Sequence, residues 1–324
     1  MKKIPVISIV MLMVLLLPGC VSSAAVSAEE YFAIGMAYFD MGRFAEAEQW
    51  LNRARSRDRT MSASEYNLGR IAFETGRFDE AIRHFEAVLR RDSTNVLALR
   101  AVAYTYIRNG DIEKADAVYS RLLELVPESA DDGYNHALVL FAMEKYAEAE
   151  QVLSSYEFAL LENNDVLLLF ARAQKEQDKP EAIDSYANWL AHNNDTRVQF
   201  EFAQLLESHD LFARALEEYR EIYTALSVAS TNPARPEVRF TIARLLLIAD
   251  SDRNEGVTEL QGAVQEGFDD FDAIEELLDD DRISAVNKVE IRVIITEGLR
   301  AAEEAASEAA DDPIEETEDE IFGE

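Results

Sequence analysis

Histidine side chains can act as general acids or bases and as metal ligands. This chain contains four, His84, His136, His192 and His209. None has a second histidine three or four residues away. The chain also contains no H-E-x-x-H, no G-x-S-x-G and no glycine-rich phosphate loop. His136 lies in an apolar stretch and is interpreted as a partly buried packing residue. We therefore predict that the chain is not an enzyme, with no catalytic residue, no cofactor and no metal.

One segment resembles the start of an EF-hand calcium loop. Asp250, Asp252 and Asn254 alternate along the chain, and Gly256 follows them. The glycine stands one position late, and Gln261 occupies the place of the bidentate glutamate. Because Asp and Asn also favour turns, we interpret this segment as the turn between two helices.

A single cysteine, Cys20, offers a different chemistry, that of a lipid anchor. Lys2 and Lys3 precede an apolar run over residues 4–17. A run of about fourteen apolar residues has the length of a signal-peptide core and is short for a membrane span. With Cys20 modified, no thiol remains for a disulfide, a metal site or a nucleophile.

The run ends in Leu17-Pro18-Gly19-Cys20, which resembles the lipobox of bacterial lipoproteins. The resemblance implies that residues 1–19 are a signal peptide and that Cys20 carries acyl chains such as palmitate. Val21 implies sorting to the outer membrane, with the folded part facing the periplasm. An ordinary secretory signal with a chance cysteine is the alternative.

Residues 20–27 form a short tether between this anchor and the first predicted helix. Ser27 and Glu30 have the spacing of a capping box, which predicts a helix start. Ser62 and Glu65 have the same spacing and predict a second start.

Small residues recur every 34 positions over residues 28–127. The glycines are Gly35 and Gly69, then Gly42, Gly76 and Gly110; the alanines are Ala47, Ala81, Ala115 and Ala149. In the first period, Tyr31, Ile34, Gly35 and Tyr38 mark one face of a helix, and Ala47, Leu51 and Ala54 mark a face of the next. One such pair cannot bury its apolar face alone, so neighbouring pairs must stack.

These residues resemble the tetratricopeptide repeat (TPR) pattern, Trp-x2-Leu-Gly-x2-Tyr followed by Ala-x3-Phe. The first period reads Tyr31-x2-Ile34-Gly35-x2-Tyr38 and Ala47-x3-Leu51, and the second contains Leu68-Gly69 and Ala81-x3-Phe85. The third contains Val102-Ala103-x2-Tyr106, Ala115-x3-Tyr119 and Pro127. The resemblance implies an all-α fold, a right-handed α-solenoid of helix-turn-helix pairs that ends in a capping helix.

The chain is predicted to have five parts. After the signal peptide (1–19) and tether (20–27), residues 28–156 hold four TPR units. Residues 157–310 hold degenerate TPR-like helical pairs and a polar-backed capping helix, and residues 311–324 form an acidic disordered tail.

A second face of each first helix, at repeat positions 5, 9 and 12, is rich in aromatic residues and arginine. In the TPR family this face lines the groove that holds ligands. The predicted partner-binding residues are Phe32, Met36, Tyr66, Arg70, Arg100, Tyr104, Arg108, Tyr134 and Leu138. Position 12 residues such as Phe39, Phe73 and Phe141 can instead pack between helices. The family's carboxylate clamp is not matched, because Phe32 and Met36 replace its Lys and Asn.

The formal net charge of −32 argues against binding to nucleic acid and to anionic lipid surfaces. We therefore predict a protein-protein interaction scaffold or assembly factor of the bacterial cell envelope. Its partner is another envelope protein or peptide segment, and its contact with the membrane is the anchor at Cys20. The alternative is a periplasmic carrier that holds an apolar small molecule in the aromatic groove.

Overall fold

The computed structural model describes residues 26–156, 163–249 and 253–311. The predicted signal peptide, Cys20, the tether up to residue 25 and the predicted tail from residue 312 lie outside these ranges. The ranges contain sixteen helices and no β-sheet, which confirms the all-α prediction. The helices are α1 (Ala28–Asp40), α2 (Phe44–Arg57), α3 (Ser62–Glu74), α4 (Phe78–Arg91), α5 (Val96–Asn109), α6 (Ile112–Leu125), α7 (Ala130–Ala142), α8 (Tyr146–Ser154), α9 (Asn164–Lys175), α10 (Glu181–Leu190), α11 (Thr196–Ser208), α12 (Phe212–Ala225), α13 (Arg235–Ile248), α14 (Arg253–Gln265), α15 (Phe271–Glu276) and α16 (Ala285–Asp311).

The chain forms two compact units that divide between Met143 and Glu144. The first unit holds α1 to α7 and the second holds α8 to α16. Within each unit consecutive helices pack as pairs, such as α1 with α2, α3 with α4, α11 with α12 and α13 with α14. The predicted architecture of helix pairs is confirmed, while the handedness of the solenoid stays a prediction.

The second helix of each pair in the first unit buries one repeated set of three residues. In α2 these are Ala47, Leu51 and Ala54, each with no exposed surface. The same positions one and two periods later are also buried, namely Ala81, Phe85, Val88, Ala115, Tyr119 and Leu122. The predicted core face of these helices is therefore confirmed.

In the first two pairs, glycine lies where the two helices cross. A Cβ atom on Gly69 would lie 2.6 Å from the ring of Phe85, and one on Gly35 would lie 2.8 Å from Leu51. Such distances are too short for nonbonded carbon atoms, so α3 approaches α4 this closely because position 69 has no side chain.

A second set of glycines ends the first helices of the first unit. Gly42, Gly76 and Gly110 have φ angles of 71°, 74° and 85°, in the left-handed region that glycine adopts at low cost. The chain can then reverse into the second helix within two or three residues. These helix ends coincide with glycines of the 34-residue period.

The second unit uses acidic residues at the equivalent turns. Glu144 and Asp178 continue the 34-residue spacing from Gly110, and their φ angles are 58° and 55°. Asp210 also has a φ of 58°, although it lies two residues short of the next period. The turn period thus continues into the second unit, where residue type hides it from the sequence pattern.

Two sequence predictions for the first unit need correction. The apolar pattern places Ile34 on the core face of α1, but this residue is 37% exposed, because no helix pair precedes α1 in the described chain. The Ser62–Glu65 capping box does not form: Met61 is the N-cap of α3, and Glu65 is buried beside His84. The capping box of Ser27 and Glu30 is confirmed, with both hydrogen bonds present.

The second unit ends in two helices of unequal length, α15 and the 27-residue α16. Ile291, Ile294 and Ile295 are buried, whereas Leu299 of the same helix is 43% exposed. The exposed back of α16 carries polar side chains such as Glu290, Arg292 and Glu297 together with valines such as Val286, so the polar-backed cap stays a prediction. No helix among the described residues is both long and apolar enough to cross a bilayer.

The calcium-like segment falls partly outside the described residues, since 250–252 are not among them. Asn254, Gly256 and Gln261 lie in α14, so a helix occupies the later positions of an EF-hand loop. In the described ranges no group of three or more His, Cys, Asp or Glu side chains is arranged to hold a metal ion.

Candidate binding surface

The first helices of the first unit, α1, α3, α5 and α7, carry all nine predicted partner-binding residues. Contacts between successive first helices bring several of them together. The guanidinium of Arg70 lies 4.3 Å above the ring of Phe39, and the rings of Phe73 and Tyr104 are 5.5 Å apart. We call the surface formed by Phe39, Arg70, Phe73, Tyr104 and Arg108 the Arg-aromatic strip.

Two arginines of this strip have no carboxylate partner among the described residues. Arg70 stacks on Phe39 and donates one hydrogen bond to the side-chain oxygen of Asn67 at 3.0 Å. Arg108 lies 5.7 Å above the ring of Phe73 and 5.4 Å above that of Phe78. Stacking holds each cation in place and leaves guanidinium donors available for a ligand.

Arg100, in contrast, already holds a carboxylate of its own unit. Its Nε donates to both oxygens of Asp132 at 2.9 Å, and its Nη2 donates at 2.7 Å. These hydrogen bonds raise the pKa of Arg100 above its ordinary value. The Asp132 side chain is almost completely buried, so the pair positions α7 against α5. The sequence pattern predicts that Arg100 binds the partner protein, and it does not predict the ion pair with Asp132.

Tyr104 is the most exposed aromatic residue of the strip, at 47%. It borders a small cleft between α3 and α5 with a volume of about 130 Å³. The lining is mainly apolar and consists of Arg70, Phe73, Glu74, Phe85, Ala101, Tyr104 and Thr105. An apolar side chain of a bound segment fits such a cleft, with Arg70 beside it.

The other predicted groove residues are more deeply packed. Phe32 and Met36 lie half-buried against the core around Leu51 and Leu68. Tyr66 packs against Phe85 at a centroid distance of 5.5 Å. In α7, Tyr134 is half-buried and Leu138 is 39% exposed, and both lie on the same helix as the partner of Arg100.

Packing between helices, the alternative for position 12, is also observed. Phe39 lies 5.5 Å from Phe44, and Phe73 lies 5.6 Å from Phe78. Phe39 and Phe73 therefore pack between the two helices of a pair, and each ring also contacts an arginine, Arg70 or Arg108.

His136 is buried, which confirms its interpretation as a packing residue. It stacks on Tyr119, whose pKa is raised to about 12 by burial. Its Nε2 lies 2.8 Å from Asp116 and 3.4 Å from Ser120. A serine-histidine-aspartate relay needs these two contacts on different ring nitrogens, so this arrangement is not such a relay.

On the corresponding face of the second unit, two arginines are paired with carboxylates. Arg172 donates to Glu201 at 3.0 and 2.7 Å, and Tyr186 donates to the same carboxylate at 3.0 Å. Arg244 donates to Glu207 at 2.6 Å. The latter pair lines a cavity of about 480 Å³, together with Phe200, Gln204, Ser208, Asp210, Phe212, Tyr219, Thr241, Leu245, Ile248 and Arg282.

Stacked helix pairs with a repeated core triplet define this protein as a helical repeat protein. The tetratricopeptide repeat family matches residues 28–60 and 66–132. Residues 28–60 and 66–132 thus form tetratricopeptide repeats, a fold that is typically non-catalytic.

Three comparisons extend this result. An uncharacterized lipoprotein of Treponema pallidum (strain Nichols) is 27% identical over 151 residues, which are 47% of this chain and 77% of that protein. The protein O-mannosyl-transferase Tmtc3 of Drosophila melanogaster is 25% identical over 185 residues, 55% of this chain but only 20% of the fly protein. The crystal structure of a tetratricopeptide repeat protein from Parabacteroides merdae ATCC 43184 has a TM-score of 0.51 at 22% identity, covers 78% of this chain and 97% of its own, and supports the fold alone.

Proposed function

We propose that this chain is a lipid-anchored scaffold of the bacterial cell envelope whose first unit binds a segment of another protein. Tetratricopeptide repeats generally bind protein or peptide partners, and the Arg-aromatic strip is the surface that supports this role here. The observation that carries the proposal is the pair of stacked arginines, Arg70 and Arg108, without carboxylate partners in the described chain. Arg70 lines the same cleft as Tyr104, and Arg108 lies over Phe73, whose ring is 5.5 Å from that of Tyr104.

The partner segment has a defined chemistry. Two guanidinium groups favour carboxylates, and the small cleft beside Tyr104 favours one apolar side chain. A segment that alternates acidic and apolar residues meets both requirements. Rings and guanidinium groups of this kind account for most of the binding energy in protein interfaces.

The alternative, a carrier of apolar small molecules, is less well supported. Small-molecule sites usually enclose about 300 to 1,000 Å³. The cleft of the strip, at about 130 Å³, is smaller. Native mass spectrometry of the purified full chain tests the carrier directly: a bound apolar compound that is lost in Phe73→Ala would favour it.

Photocrosslinking tests the proposed partner site. A benzoylphenylalanine in place of Tyr104 should trap a protein adduct of one defined mass in intact envelopes. The same probe at Lys114, which is exposed on α6, serves as the control. The Arg70→Ala/Arg108→Ala variant should remove the adduct without changing helicity by circular dichroism. An adduct that persists in this variant, or forms equally from position 114, would place the partner elsewhere.

The anchor rests on the sequence around Cys20 and on the similarity to a treponemal lipoprotein. The variant Cys20→Ala should lose acyl labelling and leave the membrane fraction. Several acyl chains anchor stably, whereas no second membrane segment is present in the described residues. A mutant that stays in membranes after a high-salt wash would contradict the anchor, and it would leave the partner site untouched.

A further inference from the structure

The last helix of the second unit, α16, exposes three valines on one face. Val286, Val289 and Val293 are 69%, 58% and 50% exposed. Their spacing of three and four residues places them on one stripe of the helix, opposite the buried isoleucines. Singly exposed apolar residues are common, but an aligned set is typical of an interaction surface.

Helix stability does not account for these valines. Valine is a weaker helix former than alanine or glutamate, because its branched side chain loses rotamer freedom in a helix. The same helix uses alanine and glutamate from Ala301 to Glu304, where the side chains are exposed. An exposed helix in this protein can therefore be built without valine, and the stripe needs another reason.

Two glutamates lie within the stripe. Glu290 and Glu297 are exposed and form no ion pair with any described residue. They are seven residues apart, which places them about 10 Å apart along the helix axis. The face formed by Val286, Val289, Glu290, Val293 and Glu297, which we call the Val-Glu face, combines an apolar centre with two fixed negative charges.

The Val-Glu face continues into a cleft between α14 and α16. This cleft has a volume of about 460 Å³ and contains the side chains of Val289, Val293 and both glutamates. Its other wall is formed by Asn254, Val257, Thr258 and Gln261 of α14, and Ile294 of α16 also lines it. A helix laid along α16 would bury the valines on one side and contact this wall on the other.

Charge selects among the possible occupants. A second copy of the face would place glutamates against glutamates, and an anionic lipid surface would be repelled in the same way. Residues 312–324 contain seven acidic residues and no basic one, so they are also repelled. A positively charged helix is attracted by the same groups.

We propose that the Val-Glu face docks an amphipathic helix of another protein, one with Lys or Arg residues seven positions apart beside an apolar stripe. The two basic residues pair with Glu290 and Glu297 while the apolar stripe covers the valines. This site belongs to the second unit and does not depend on the Arg-aromatic strip.

The test uses the full chain and two synthetic helical peptides with the same leucine stripe. One peptide carries two lysines seven residues apart beside the stripe, and the other carries two glutamates there. Fluorescence anisotropy should show at least tenfold tighter binding of the lysine peptide. In the variant Glu290→Lys/Glu297→Lys this preference should reverse. Equal binding of both peptides to the wild-type chain would overturn the proposal.

Because the whole chain is acidic, a local control is needed. Val289→Asp/Val293→Asp should weaken the lysine peptide at least tenfold, since both valines lose their apolar contact. The matched control is Val228→Asp, at a valine that is 88% exposed outside the face, which should change the affinity less than twofold. Unchanged or tighter binding of the lysine peptide to Val289→Asp/Val293→Asp would mean nonspecific charge attraction, because added carboxylates favour a cationic peptide. A wild-type dimer that Val293→Asp dissociates would identify a second copy as the occupant. Either result overturns the proposal.

Discussion

The two units of this protein form the same left-handed turn with different residue types, and they differ in net charge. The first closes its turns with Gly42, Gly76 and Gly110, whereas the second uses Glu144, Asp178 and Asp210 in the same left-handed conformation. Residues 26–143 contain 14 Lys and Arg against 19 Asp and Glu, a net charge of −5, and residues 144–324 contain 15 against 44, a net charge of −29.

The difference in charge extends to how each unit uses arginine. In the first unit Arg70 and Arg108 rest on aromatic rings without a carboxylate, while in the second Arg172 and Arg244 hold Glu201 and Glu207. These two arginines of the second unit thus pair with its own acidic side chains. The first unit can offer two of its arginines to a ligand, which is why the proposed anionic partner and the proposed cationic partner belong to different units.

The two tryptophans of the chain allow each unit to be followed separately. Trp50 lies in α2 of the first unit, and Trp189 lies in α10 of the second. The variants Trp50→Phe and Trp189→Phe each leave one fluorescent reporter. Urea unfolding in these two backgrounds gives the free energy of unfolding for each unit.

The largest expected effect is at the helix crossing. Gly69→Ala places a Cβ atom 2.6 Å from the ring of Phe85 and should destabilise the first unit by about 1–3 kcal/mol. The position 134 residues later, Ala203 in α11, is a fully buried alanine. Ala203→Gly should cost the second unit about 1 kcal/mol. A Gly69→Ala variant with unchanged urea midpoint at Trp50 would show that α3 and α4 can move apart freely.

The second largest difference between the units is expected when an arginine is removed from each, because the two variants should lose different amounts of unfolding free energy. Arg244→Ala leaves Glu207 largely buried without its cation, which should cost the second unit about 1–2 kcal/mol after allowance for partial exposure. Arg70→Ala removes an unpaired cation and should change the first unit by less than about 0.5 kcal/mol. Equal losses from the two substitutions would contradict this division of roles, as would a stable Arg244→Ala.

The crossings, turns and ion pairs differ in how far sequence alone predicts them. The 34-residue period identified the core triplets and the glycine turns, because small and apolar residues repeated at that spacing fit few architectures besides stacked helix pairs. It missed the turn at Asp178, since Asp also occurs throughout exposed surfaces. It also missed the pairing of Arg100 with Asp132, because a contact between successive repeats depends on how the helices stack. Of the strip, sequence identified the residues but not which arginines lack partners.

Acid should affect the second unit more than the first. Burial opposes ionisation of Glu150, but hydrogen bonds from Lys179 and Gln177 outweigh it, and the pKa of Glu150 is below its ordinary value. The pKa of Glu266 is lowered in the same balance, by Tyr223 and Arg239. A depressed folded-state pKa adds stability that is present above the ordinary Glu value of about 4.3 and is lost as the pH falls through the folded-state value.

We therefore expect the Trp189 reporter to lose about 1 kcal/mol more than the Trp50 reporter between pH 6 and pH 3.5. In the first unit the carboxyl groups with lowered pKa are exposed side chains at turns and helix starts, such as Asp58 and Asp92, which solvent screens. Glu150→Gln should reduce the difference between the two reporters. Parallel acid curves from both would refute the unequal acid dependence of the two units.

The smallest effect is expected at the turns. There the residue type of one unit can be substituted into the equivalent turn of the other. A non-glycine residue in the left-handed region costs about 1 kcal/mol relative to glycine. Asp178→Gly should therefore stabilise the second unit by about 0.5–1 kcal/mol, because Asp178 has a φ of 55° and its side chain is largely exposed.

The reciprocal change, Gly76→Asp, should destabilise the first unit by a similar amount, since a Cβ atom at Gly76 meets no neighbouring atom and only the backbone is strained. Asp178→Ala is the matched control, because it removes the side chain but keeps the strain and should leave the midpoint nearly unchanged. If Asp178→Gly and Asp178→Ala both destabilise the second unit, the acidic side chain itself stabilises the turn. The second unit would then have replaced glycine at its turns for a gain in local hydrogen bonding, not at a cost in strain.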